Sequence, residues 1–400
     1  MVKMNNSTIS MKKRILFICN TFPGVNQSAG SILYEKIMNA YGPANFFIIS
    51  TDRVKVRNNP VSCQSININL KNSFKSRIGR ALSKQMSFIM FHLIWFNWRL
   101  VRKTVIKKII IYNPDTLLIT VRGNLILIIR DLIEKTGFKG NVVLYDSDTI
   151  EPDRSRGNYI FKRIKRNYNW LLDQCNSIFV AGEGMKEMYH QLNINATEIL
   201  RVPFENRLGR KNNNSKIANK ITIHFAGSMY AKEAFLVFIE SLEILAKTMS
   251  NIEFIVIVAT QEKMILPNVN ITITQTGWLN EKGLKESIVN SDFAYVPYSF
   301  KQKNKHQMTY AFPSKIGFYV SNGLPVFFHG PSYSSVHKFI EEKKIGINCI
   351  NTDVVDVVKS LNQMIDLIHF KKGDTEKNLV STYIKEFSND VFTSKLSKTL

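Results

Sequence analysis

Short unbroken apolar runs alternate along this chain with stretches in which apolar residues return every three or four positions. In the first half the runs fall at 14–19, 46–50, 116–121, 141–145 and 177–180, and in the second at 221–226, 254–258, 271–275 and 293–297. An unbroken run, unlike an alternating one, reads as a strand covered on both faces, the condition of a parallel sheet. Between the runs, Ile32, Leu33, Ile37 and Met38 lie on one helical face, and 125–135, 233–248, 281–290 and 354–368 carry the same period. Strand and helix in alternation predict an α/β chain, and 400 residues exceed what one core holds. Two Rossmann-like domains are therefore expected. Residues 206–219 hold Gly, Arg, Lys and several Asn with almost no apolar residue, so they read as a linker. The linker separates an N-terminal domain, 11–205, from a C-terminal domain, 220–375, followed by a tail helix at 376–400. Residues 1–10 are polar and read as disordered or as a non-native start, with Met11 the other candidate first residue.

Composition narrows the class. Apolar residues make up 44% and charged residues 21%, enough to build cores. Cys19, Cys63, Cys175 and Cys349 are too scattered for a metal pair or a disulfide framework, so a reducing cytoplasm is expected. The first ten residues lack an apolar signal core, and no run approaches the ~18 to 20 apolar residues of a membrane span. Charge changes the picture more. The chain carries a net +23, and residues 1–200 supply 29 basic and 13 acidic groups, so its first half points to an anionic partner.

That excess concentrates in one block. From Arg53 to Pro114 there are thirteen Lys or Arg and no acid. Inside it, the aromatic run 88–98, with Trp95 and Trp98, precedes Arg99, Arg102, Lys103, Lys107 and Lys108. Such mixing suits docking on an anionic membrane surface, peripheral to the inner leaflet. The alternative is a buried helix with solvated ends. A basic aromatic chain could also bind RNA, but no RNA-recognition pattern is present and the block is apolar, so no nucleic acid is expected as a partner.

Candidate chemistry lies at strand ends, where open α/β sheets bind ligands. The first run ends in the turn-rich loop 20–30, closed by Gly30, which matches neither a P-loop nor a dinucleotide fingerprint. Arg122 follows the 116–121 strand. Asp146 and Asp148 follow the next, where a carboxylate could act as a base or orient acceptor hydroxyls, or simply cap the next segment. Near 312–327, Pro313 suits a helix's first turn, Ser314 can cap it, Gly323 ends it and Pro325 forbids continuation. Lys315 stands where such an end would hold a phosphate.

Pro313-Ser-Lys315, a helix and Asn322-Gly-Leu-Pro-Val326 resemble the sugar-nucleotide site of GT-B glycosyltransferases of the group 1 type. So do 221–232, with its strand, glycine loop and lysine, and 276–279 and 290–298, all in the family's order over about 110 residues. The resemblance implies two Rossmann-like domains facing a central cleft, and a retaining, nucleotide-sugar-dependent enzyme. It places Gly30, Gly227, Ser228, Lys232, Trp278, Tyr298, Ser314 and Lys315 on the donor, and Arg122, Asp146 and Asp148 near the reaction. It further implies a glycan or lipid-linked acceptor in O-antigen, capsule or lipopolysaccharide assembly. The departures are specific. Two glutamates frequent in the family are Tyr310 and Phe318 here, and a frequent arginine is Ser228. Lys232 and Lys315 would then carry the charge on the diphosphate, with no metal and no other cofactor expected. The missing glutamates leave a catalytically inactive scaffold as an alternative.

Overall fold

The computed structural model describes residues 13–24, 29–51, 63–68, 70, 86–120, 124–147, 158–194, 197–208, 219–262, 269–370 and 372–400. The chain divides into two compact units, one of residues 1–180, 193–198 and 393–400, the other of 181–192 and 199–392.

In the first unit the order is β1 (Ile15–Cys19), α1 (Ala29–Tyr41), β2 (Phe46–Ser50), β3 (Gln64–Asn67), α2 (Ser87–Tyr112), β4 (Thr116–Thr120), α3 (Leu125–Thr136), β5 (Asn141–Asp146), α4 (Asn158–Gln174) and β6 (Ser177–Val180). After α5 (Glu183–Gln191), which belongs to the other unit, comes β7 (Thr197–Ile199). The sheet runs β3-β2-β1-β4-β5-β6-β7, with Ile15 beside Phe46 on one side and Thr116 on the other, both pairings parallel. β1, β2 and β4 are buried at every position, which is why their sequences are apolar without alternation. The chain's last residues join this unit: the Asn141 side chain donates to the Thr399 carbonyl at 2.8 Å.

The aromatic block forms one helix. No Gly or Pro interrupts residues 87–112, and α2 ends at Asn113 in the left-handed region (φ +49°), before Pro114, which disfavours a helical predecessor. Met90, Ile94, Trp98, Val105 and Ile109 make its buried face. Trp98 is fully buried and its indole N–H donates to Asp131 at 2.7 Å. It is a core residue, so its expected place on a docking surface is corrected.

The second unit contains β8 (Lys220–Ala226), α6 (Lys232–Thr248), β9 (Glu253–Ala259), β10 (Thr272–Gln275), α7 (Glu281–Ile288), β11 (Phe293–Pro297), α8 (Lys305–Tyr310), α9 (Lys315–Ser321), β12 (Val326–His329), α10 (Ser335–Lys343), β13 (Gly346–Cys349) and α11 (Val354–Phe370). α12 (Lys372–Thr382), a π turn (Tyr383–Phe387) and α13 (Asn389–Thr399) follow, and the passage to the first unit falls within α13, after Phe392. The sheet order is β10-β9-β8-β11-β12-β13. Both sheets are thus α/β and doubly wound, with the strand order reversing beside the first strand of each.

The division differs from a break at 205. Residues 181–192 pack with the second unit because Gly182 and Gly184 let the backbone approach 309–312: a Cβ on Gly182 would lie 2.6 Å from Phe312 Cβ, and one on Gly184 2.7 Å from the Thr309 carbonyl. The expected linker also begins as folded chain, since the Arg207 N–H donates to the Ser321 carbonyl at 2.9 Å. Residues 209–218 lie outside the described residues.

Candidate donor site

In the second sheet the order reverses between β8 and β11, and the loops leaving their carboxyl ends meet there. β8 ends at Ala226, whose N–H donates to the Tyr319 hydroxyl at 2.9 Å, tying this strand end to α9. Gly227 follows with φ +111°, and Gly227 and Ser228 are exposed. From β11, Tyr298 and Ser299 lead out; the Ser299 hydroxyl donates to Glu233 in the first turn of α6, and Lys301 pairs with the same carboxylate at 3.3 Å. Burial alone would raise the Glu233 pKa, but the Ser299, backbone and Lys301 interactions outweigh it and the net shift is downward. Ser299, Lys301 and Glu233 were not legible as site residues beforehand. The only signal was that Ser299 and Lys301 lie within four residues of a strand end, and Glu233 beside Lys232.

Lys315 opens α9. It is half-buried, and its ammonium lies over the Phe225 ring, 4.8 Å from the centroid. Burial lowers its pKa from 10.5 to about 8, and no carboxylate among the described residues is near enough to oppose that. A cation half out of water is costly unless an anion joins it, and among the described residues no carboxylate does. Lys232 is placed differently. It is exposed and pairs with Glu262 at 3.1 Å, so it shares the edge but not the desolvation. α9 stops where expected, with Gly323 at φ +69°. Ser314, however, makes no side-chain cap bond; it precedes Lys315 without bracing it.

Two further donor candidates separate. Trp278 stands half-exposed in the turn after β10, next to Gly277 at φ +73°. Tyr298 is 1% exposed and its hydroxyl donates to the Ala311 carbonyl at 3.0 Å, so it is a core residue and cannot present that hydroxyl to a ligand. Phe318, at the position of a family glutamate, is also core: its ring meets Phe204 edge-on at 6.1 Å.

In the first unit, Asp146 ends β5, is 1% exposed, and accepts from the Tyr168 hydroxyl at 3.2 Å. Gly30 lies in the first turn of α1 rather than in the loop before it. Arg122 and Asp148 lie outside the described residues.

No protein-family model matches the sequence, and no curated protein matches it. Solved structures do match over nearly the whole chain. Sucrose-phosphate synthase from Thermosynechococcus elongatus shares 9% identity at a TM-score of 0.66, covering 96% of this chain and 98% of its own. A glycosyltransferase from Rickettsia africae shares 13% at 0.65, covering 96% and 97%. The trehalose-6-phosphate structure from E. coli bound with UDP-2-fluoro glucose shares 11% at 0.61, covering 96% and 98%. This chain has the GT-B fold. Its two parallel sheets of seven and six strands are the two Rossmann-like halves of that fold.

Proposed function

We propose that this chain is a glycosyltransferase that takes a sugar from a nucleotide-sugar donor, with the donor diphosphate held at the β8/β11 edge. The observation that carries this reading is Lys315, a half-buried ammonium without an acidic partner among the described residues, at the sheet position where such folds bind ligands. As the bond between sugar and phosphate breaks, negative charge grows on the departing diphosphate. Lys315, with Lys232 and Lys301 at the same edge, would stabilise that charge without a metal. Release of nucleoside diphosphate from a panel of nucleotide sugars tests the reading; an intact, folded sample that releases none, with or without acceptor extracts, overturns it.

The charge state of Lys315 sets a pH dependence. Its folded-state pKa is about 8 and an anion needs the protonated form, so diphosphate affinity should be flat below about pH 8 and weaken as pH rises through it. In the empty protein the linkage has the other sign. The cost of the buried charge is fully present below about pH 8 and is relieved as pH rises toward the ordinary lysine value of 10.5. Calorimetric titration of UDP, GDP and ADP between pH 6.5 and 9.5 checks this; affinity that does not fall above pH 8 removes Lys315 from the phosphate.

The acceptor we propose is lipid-linked or a cell-surface polysaccharide, reached from an anionic membrane surface. Support comes from the face of α2 opposite its buried one. Phe88, Ile89, Leu93, Phe96, Leu100, Ile110 and Ile111 are exposed there, and an open groove is lined by Ile89, His92, Leu93, Trp95, Phe96 and Arg99. Exposed Arg99, Lys103 and Lys107 continue that face at helical spacing. α4 packs alongside through Tyr159, 5.0 Å from Phe88, and adds exposed Lys162, Lys165 and Arg166. Arg102 is not part of this set, since it is half-buried and pairs with Asp131 at 3.4 Å. Among the described residues no helix is long and apolar enough to cross a membrane. Apolar side chains ringed by cations suit an anionic lipid surface, with each cation contributing about 1 kcal/mol. Replacing Arg99, Lys103, Lys107 and Lys108 by Gln should abolish most co-sedimentation with phosphatidylglycerol vesicles, and salt should do the same. Equal binding to neutral vesicles would overturn it.

A further inference from the structure

Just upstream of the lysine turn lies a buried ionic knot that the donor reading does not use. Arg201, following β7, is 6% exposed, and its guanidinium donates to Glu183 at 2.5 Å and to Glu386. Three rings enclose it: the guanidinium carbon is 4.5 Å from the centroid of Phe312, 5.0 Å from Phe339 and 5.7 Å from Phe387. Glu386 is held in turn by Lys343 at 2.9 Å. The ion pairs span the chain from 183 to 386, yet they converge on Phe312, three residues before Lys315. A buried arginine with two carboxylates is an expensive way to make a core, because an apolar cluster of that size would serve stability as well. Such a knot fixes geometry instead.

What it fixes is the approach to Lys315. The backbone at Gly182 runs so close to Phe312 that a Cβ there would lie 2.6 Å from the Phe312 Cβ, and one on Gly184 2.7 Å from the Thr309 carbonyl. The Ala311 carbonyl accepts from both Tyr298 (3.0 Å) and Ser335 (2.7 Å). Beyond the turn, a Cβ on Gly317 would lie 2.6 Å from Phe387 and 2.7 Å from Phe204. Phe387 thus touches α9 and encloses Arg201 at once. Phe312 before the turn and Phe387 behind it both rest on the same guanidinium.

We propose that Arg201 is a positioning residue for the donor phosphate: through Phe312 and Phe387 it sets where the Lys315 ammonium stands. The proposal rests on the donor-site reading above, and a double-mutant cycle separates the two. The probe is the tightest binder among UDP, GDP and ADP, titrated calorimetrically at pH 7. Arg201→Met should weaken it about 5- to 20-fold in the native background and less than twofold when Lys315 is already Ala. A purely structural arginine would lower the melting temperature and change affinity equally, or not at all, in both backgrounds; either result overturns the inference. Should Arg201→Met fail to fold, Phe312→Leu decides, since it removes one stacked ring and keeps the site apolar; the same non-additivity is expected, and full additivity or unchanged affinity refutes. If Lys315→Ala alone leaves affinity unchanged, the donor-site reading has failed, and the positioning role with it.

Discussion

Replacing Lys315 with Ala is expected to weaken nucleoside-diphosphate binding by about 1.5–3 kcal/mol, roughly 10- to 160-fold, as for loss of a charge-assisted hydrogen bond. The sequence placed Lys232 and Lys315 on equal footing. The structure does not, because Lys315 has already lost much of its water to Phe225 and burial, whereas Lys232 is exposed and has Glu262 as a counter-ion. An exposed, screened pair is worth about 0–1 kcal/mol, so Lys232→Ala should cost less than Lys315→Ala. The Lys315 variant should keep its fold, and its melting temperature without ligand should hold or rise, since a desolvated charge has been removed. Titration of the diphosphate into both variants checks the order of effects. A larger loss for Lys232 would move the phosphate toward the α6 end of the edge.

Phe318→Glu should destabilise the second unit by about 3 kcal/mol or more, a large share of the roughly 5–15 kcal/mol that holds a domain folded, and lower its melting temperature accordingly. The substitution restores the residue frequent in relatives, and from the sequence it could have either tightened donor binding or broken the core. The structure favours the second outcome. Phe318 is 8% exposed, sits in the cluster with Ile316, Tyr319, Leu324 and Phe387, and meets the Phe204 ring. A carboxylate there would sit among the Phe204 and Tyr319 rings and must either be desolvated or protonate. Thermal melting of the variant checks this. A folded variant with tighter donor binding would mean that the ring can be displaced toward the ligand and that the position keeps its role in relatives.

How much of this was legible beforehand depended on how local the cause was. Unbroken apolar runs needed only their own residues to be recognised, so β1, β2, β4, β8, β9 and β11 stand within a residue or so of where the pattern put them. Strands β3 and β13 were not recognised. β3 lies at a sheet edge with its positions largely exposed, and no apolar run announces it. The α2 block shows the limit well. Its composition gave two readings, a membrane face or a buried helix, and the fold buries one side and leaves the other exposed: Met90, Ile94, Trp98, Val105 and Ile109 are core, while Phe88, Leu93, Phe96 and Leu100 face out. Composition counts residues, and only packing assigns them to faces.

The sequence by itself determined the class of fold and the stop of α9 at Gly323, and it offered Lys232 and Lys315 as candidates without ranking them, because turn chemistry and hydrophobic period are properties of a few adjacent residues. Tertiary structure alone decided which lysine is desolvated, since that depends on Phe225, ninety residues away along the chain. It decided that Tyr298 and Trp98 are core, because their hydroxyl and indole N–H find partners at Ala311 and Asp131. It also brought Glu183, Arg201, Phe312 and Glu386 to one point. No local pattern can encode that meeting, because charges far apart in sequence are paired by the fold's burial of them and not by their spacing.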